Sequence, residues 1–192
     1  NYNKGCFSVE NCGNAMFTGP GFDINSSKYL VCDVVSKDCY VGARVLDNCW
    51  GNNLRASVHN STSHGFIYNN QAVNESHTNN LDVAVNTAGG SGFVVGLKCR
   101  NSNIRASILD AADVGFSFQN DANHSTNLNI NLTTESSTNQ GLLCYGDDCI
   151  IRHQSYLDGR GGIQGASFAI DVLCDRNKLI VDLIDSATWQ VR

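Results

Sequence analysis

Charge is scarce in this chain, and so are the features that break β structure or span a membrane. Only 16% of its 192 residues are Asp, Glu, Lys or Arg, against a usual quarter or so. The net charge is −5 and no cluster of Lys and Arg offsets it, which excludes a nucleic-acid footprint. No apolar run approaches the ~18 residues of a membrane-spanning helix, so no membrane span is expected. A single proline leaves long backbone ladders uninterrupted. No stretch repeats its hydrophobic residues with the 3.6 period of a helix. No pair of cysteines has CxxC spacing and no His sits beside Cys in ligand order, so neither a metal nor a cofactor is expected.

Against these absences stand 42% hydrophobic residues, 24 Asn and 27 Ser plus Thr. That is enough apolar material for one core, with a surface made polar by amides and hydroxyls rather than by charge. The nine cysteines suit disulfides in an oxidising compartment or buried thiols acting as small hydrophobes. Cys6 with Cys12, and Cys32 with Cys39, each close a short loop and are the expected bridges. The odd total leaves at least one thiol over. An extracellular location, or the surface of a cell or virion, follows from that reading. The chain opens on Asn1 rather than Met, as expected of a processed product or part of something longer.

A glycine followed by apolar-x-apolar recurs throughout. The copies begin at Gly21, Gly42, Gly65, Gly92, Gly115, Gly141 and Gly165, at intervals of 21, 23, 27, 23, 26 and 24 residues. Behind each glycine comes a cleanly alternating segment, such as Leu54-Arg55-Ala56-Ser57-Val58, Leu81 to Val85, Ile104 to Ile108, Leu128 to Leu132 or Leu179 to Leu183. Alternation with period 2 marks a strand with one buried face. Asn53, Asn80, Asn103 and Asn127 precede four of these segments, at a bend where Asn tolerates the left-handed conformation.

Coils of ~24 residues, stacked at the ~4.8 Å spacing of a β-ladder, accommodate both elements. The expected fold class is all-β, a right-handed single-stranded parallel β-helix of about seven coils. Residues 1–20 form an N-terminal cap segment and 21–192 the helix. Phe66, Phe93 and Phe116 would stack as an inner aromatic column, with Leu54, Leu81, Ile104 and Leu128 as an aliphatic column beside it. Arg55, Asp82 and Arg105 would share one outward position as a +/−/+ ladder. Trp50, Tyr68, Tyr156 and Trp189 are the aromatics left for a surface.

This pattern resembles the right-handed parallel β-helix of the pectin-lyase-like superfamily over about residues 20 to 185. The resemblance is architectural, and it implies carbohydrate as a substrate or partner, covalent or bound. Gly146-Asp147-Asp148-Cys149 resembles the paired-aspartate motif of polygalacturonase-like hydrolases, which makes Asp147 and Asp148, with His153 downstream, the catalytic candidates. The Asn-x-Asp, Gly-His-Gly and Arg-x-Lys elements of that family are missing. In the turn matched one coil earlier, the chain has Asn120-Asp121.

Five Asn-x-Ser/Thr sequons, at Asn25, Asn60, Asn74, Asn123 and Asn131, are glycosylation candidates for a secreted protein. Strand-like Thr188 to Val191 suggests an open last rung, hence end-to-end self-association. The expectation is therefore a non-catalytic extracellular structural protein, a filament or appendage subunit that can bear glycans. The alternative is a polysaccharide-binding or polysaccharide-cleaving β-helix domain that assembles as a trimer.

Overall fold

The computed structural model describes residues 3–10, 20–69, 74–119, 125–158, 168–170, 175–184 and 190–191. Cys12, Asn123 and Trp189, and the glycine copy at Gly165, lie outside them. The described residues form an all-β parallel solenoid of about six turns, close to the seven expected. One eight-stranded sheet runs Asn3–Glu10, Leu30–Lys37, Asn53–His59, Asn80–Val85, Asn103–Leu109, Asn129–Glu135, Ile150–Tyr156, Lys178–Ile184. The glycine-led segments build a second, from Pro20–Ile24 through Phe66–Tyr68 and Phe93–Val95 to Gln190–Val191. Along a third line Lys28, Trp50, His77, Arg100, Thr126 and Asp147 pair as bridges and one two-stranded ladder. Asn3–Glu10 pairs in register with Leu30–Lys37, so strand pairing begins ahead of residue 21.

Alternation does in the first sheet what the sequence requires of it. In Asn103–Leu109 the odd positions are exposed, while Ile104, Ala106 and Ile108 are buried. In the second sheet Phe66, Phe93 and Phe116 face each other rung by rung, with ring centroids 4.8 Å apart in both pairs. All three are fully buried. Each contributes about 2–3 kcal/mol of burial, and each pair adds roughly 1 kcal/mol more.

The aliphatic column differs from expectation in its fourth member. Ile104 stands opposite Ile130, not Leu128, and Asn103 opposite Asn129, not Asn127. A two-residue shift leaves every side chain on the same face, so alternation alone cannot set it. The exposed Asn53, Asn80 and Asn103 and the half-buried Asn129 share one register. Asn103 donates to Asn80 Oδ1 at 2.9 Å, and Asn129 to Asn103 Oδ1 at 3.3 Å.

The sharp bend before this sheet is a file of left-handed residues. Tyr29, Gly51, Thr78, Asn101, Asn127, Asp148 and Arg176 all have φ between 49° and 68°. The residue after each points inward, and there the polar work is done by Asn52, Asn79 and Asn177 rather than by the exposed Asn file. Asn79 Oδ1 accepts Asn52 N–H at 3.0 Å, while Asn79 Nδ2 donates to Cys49 O at 2.8 Å and to the Tyr68 hydroxyl at 2.9 Å. Asn52 Oδ1 in turn accepts Leu30 N–H at 2.8 Å. Buried amides that satisfy backbone groups of neighbouring coils hold the vertical register. An Asn79→Ala variant, which strands these partners, should lose about 2–3 kcal/mol. The urea midpoint will fall with the m-value unchanged if that is right.

Cys32 carries a free thiol and is not bridged to Cys39; Cys6, Cys49 and Cys99 are free as well. The reason is the strand. From Cys32 to Lys37 the chain takes five extended steps of ~3.3 Å, which the short turn to Cys39 cannot reverse to the ~7 Å Cα limit of a disulfide. Burial, aided by Asp33 and Cys6, pushes the Cys32 thiol up to about 11, and burial raises Cys49 and Cys99 too. Cys32, Cys39, Cys49, Cys99, Cys144 and Cys149 all place their sulfur in the buried interior.

Candidate functional site

The outward face of the first sheet carries the expected charged file and extends it. Asp33, Arg55, Asp82, Arg105, Asn131, Arg152 and Ile180 occupy one position in successive strands. Two residues further along each strand, Ser107, Thr133, Gln154 and Asp182 form a parallel polar file. Between Arg105 and Asp182 the two files line a shallow groove of about 570 Å³.

The arginines in this groove differ from the rest. Arg44 pairs with Asp23 at 2.6 Å, Arg55 with Asp82 at 3.9 Å, Arg100 with Glu75 at 3.1 Å and Arg176 with Asp148 at 2.6 Å. Arg105 and Arg152 have no carboxylate partner among the described residues. Arg152 Nη1 donates only to the amide oxygen of Asn129, at 3.3 Å. Both uncompensated guanidinium groups border the same groove, two rungs apart, with Asn131 between them. Always-charged guanidinium forks beside hydroxyl and amide side chains suit a carboxylate or sulfate on a polyhydroxylated chain.

Asp147 and Asp148 are otherwise engaged. They lie on the third line, where Asp147 pairs with Thr126, so the equivalent residues one coil earlier are Thr126-Asn127 and not Asn120-Asp121. Arg176 grips Asp148 through Nε at 2.6 Å and Nη2 at 2.7 Å, and that guanidinium holds the carboxyl below its ordinary value. Asp147 Oδ1 accepts the backbone N–H of Asp175 at 2.8 Å. A general acid in glycoside hydrolysis needs the opposite shift. Neither carboxylate lines the groove on the first sheet.

His153 is not with them either. Alternation turns Ile151, His153 and Ser155 inward and Arg152 outward, so the imidazole sits 1% exposed in the core. There Thr134 donates to Asp158 Oδ2, leaving its oxygen to accept from His153 Nε2 at 2.7 Å. Ser155 also donates to Asp158 Oδ2, at 2.6 Å, and Ser137 N–H to Oδ1 at 2.7 Å. His153 Nδ1 has no partner, and burial lowers its pKa to about 3. Chain order brings a hydroxyl, an imidazole and a carboxylate into line, but all are sealed in the interior.

Trp50 offers no open face to a sugar. Trp50 stacks on His77 at 5.5 Å, meets the edge of Tyr29 at 5.3 Å and has Lys28 Nζ 4.3 Å from its ring centre. Its faces are taken by neighbours. Tyr68 is fully buried, contrary to expectation, because it stands in the inward file between Val45 and Val95, where its hydroxyl is satisfied by Ser102 at 2.9 Å and Ser76 O at 3.2 Å.

Of the glycosylation candidates, Asn25, Asn60, Asn74 and Asn131 are all exposed. Asn60 Nδ2 donates to Asp38 at 3.1 Å and Asn74 Nδ2 to Asp47 at 3.5 Å. Among the described residues no group of three His, Cys, Asp or Glu side chains is placed to hold a metal ion. Comparison with family models, curated proteins and solved structures returned no match.

Proposed function

We propose that this chain is a glycan-recognising β-helix of the pectin-lyase-like type, acting outside the cell by binding rather than cleavage. The observation that carries this reading is the groove on the first sheet, where Arg105 and Arg152 have no carboxylate partner among the described residues and stand beside Ser107, Asn131, Thr133 and Gln154, with Ile180 and Asp182 at one end. Elsewhere the described arginines are neutralised by carboxylates, so an anionic ligand has one obvious landing place. The engagement of Asp148 by Arg176 and the burial of His153 favour binding over hydrolysis.

The test is capture of acidic polysaccharides by the full chain and by an Arg105→Gln, Arg152→Gln double variant. Affinity should fall by at least about tenfold on removing two charge-assisted contacts, with the thermal midpoint unchanged. No measurable capture by the unaltered chain would sink the reading. Asn131 sits between the two arginines and begins a sequon. A glycan attached there would fill the groove, so modification at Asn131 and ligand binding are mutually exclusive under this proposal.

A second reading, an end-to-end structural subunit with attached glycans, draws on strand edges. Asn3–Glu10 and Lys178–Ile184 each pair on one side only among the described residues, and such edges are templates for another strand. Electron microscopy of concentrated protein separates this reading from the first. Rods far longer than one molecule support it, and dispersed single particles reject it.

A further inference from the structure

We propose, resting on the glycan-binding reading, that the groove selects a chain whose negative groups fall on every second sugar. The rungs of a parallel sheet lie ~4.8 Å apart, so Arg105 and Arg152, two rungs distant, present their charge at roughly 9–10 Å intervals. A pyranose in an extended 1,4-linked chain advances by nearly one rung. A sugar chain laid along the solenoid axis therefore places alternate residues over the two guanidiniums and the intervening residue over Asn131. An amide donates to and accepts from neutral hydroxyls and N-acyl groups without asking for charge.

The flanks define the limits of the strip. One rung before Arg105 stands Asp82, held by Arg55 at 3.9 Å. One rung after Arg152 stands Ile180, 47% exposed, and the adjoining outward position is Asp182. Thus the file reads acid, base, amide, base, apolar. A chain with a carboxylate on every sugar would set one anion over Asp82 and another over Ile180, where the first is repelled and the second left without a counter-charge. An alternating chain sets neutral sugars at both positions. Ile180 offers such a sugar an apolar contact, and Ser107, Thr133 and Gln154 line the groove beside it. Nucleic acid is disfavoured by the chain's net charge of −5.

The experiment is titration calorimetry of the full chain with hexasaccharides of one length. The first alternates uronate with an uncharged N-acetylhexosamine, the second is a homo-uronate and the third is neutral; a single-stranded hexanucleotide is the fourth probe. The alternating sugar should bind at least about tenfold more tightly than any other probe. Arg105→Gln and Arg152→Gln should each erase most of that preference. Asn131→Arg, which fills the gap in the charged file, should shift preference toward the homo-uronate. Homo-uronate binding as tight as the alternating sugar overturns the periodicity while leaving the glycan-binding reading intact. Binding of no sugar at all overturns both, and equal binding of the hexanucleotide shows an anion site without sugar selectivity.

Discussion

A Gly65→Val variant should lose more than about 4 kcal/mol of stability, beyond the usual 1–3 kcal/mol cost of overpacking, or fail to fold. The repeated glycine is not there for an unusual φ; among the described glycines only Gly51 has a positive one. It is there because backbone meets backbone. A β-carbon on Gly65 would lie 2.5 Å from the carbonyl oxygen of Gly92 and 2.5 Å from Val85 Cγ1. The same clash is built into the file, since Gly21, Gly42, Gly92 and Gly115 each face the carbonyl of the next glycine along. A carbonyl in a ladder cannot move by half an ångström without parting the rungs on both sides. Thermal melting is the check. At 2–4 °C per kcal/mol for a chain of this size, the midpoint should drop by roughly 8–16 °C. A loss under 1 kcal/mol would show that the coils are not packed this closely.

Acid should destabilise the protein through His153, and the sign follows from burial. In the unfolded chain this imidazole titrates near its ordinary 6.5, whereas in the core its pKa is lowered to about 3. Protons therefore bind the unfolded state preferentially between those values. Its contribution is complete above pH 6.5 and falls by about 1.4 kcal/mol per pH unit as pH drops toward 3. The groups facing it are Thr134 at 2.7 Å and, beyond that hydroxyl, Asp158 and Ser155. Its neighbours in the inward file are Leu132 and Val181. His153→Leu, which repeats the residue of the preceding rung, should flatten the difference in urea-derived stability between pH 6.5 and 4. Equal pH slopes in the two proteins would refute this assignment.

Repetition made the architecture legible, and its details were lost where repetition is ambiguous. Phe66, Phe93 and Phe116 each follow a glycine directly, so their register has a fixed marker, and they stack as read. Leu128 has no such marker. It belongs to an alternating run that tolerates a two-residue shift, and Ile130 takes its place beside Ile104. The polar corner was displaced for a similar reason: Asn127 takes the left-handed bend as expected, whereas in the earlier coils the bend falls two residues before Asn53, Asn80 and Asn103, at Gly51, Thr78 and Asn101. In Asn52-Asn53 and Asn79-Asn80 both members are amides, and only the left-handed residue before them decides which one turns inward.

The candidate groove was half legible. Arg55, Asp82 and Arg105 share a position in three alternating segments, but Arg152 sits in Ile150–Tyr156, whose inward positions hold His153 and Ser155. Polar residues on the buried side erase the alternation that would have marked the strand. That same substitution hid the interior cluster around Asp158. The paired aspartates were conspicuous in one dimension, yet Arg176, 28 residues on, claims one of them.

A rod whose coils touch only the coils above and below has no global keystone. Disorder that begins at an outer rung removes one interface at a time, and the aromatic stack from Phe66 to Phe116 lies in the middle of the pile. Heat or pulling force should thus peel this molecule inward from its extremities, leaving the segment around Phe93 wound until last.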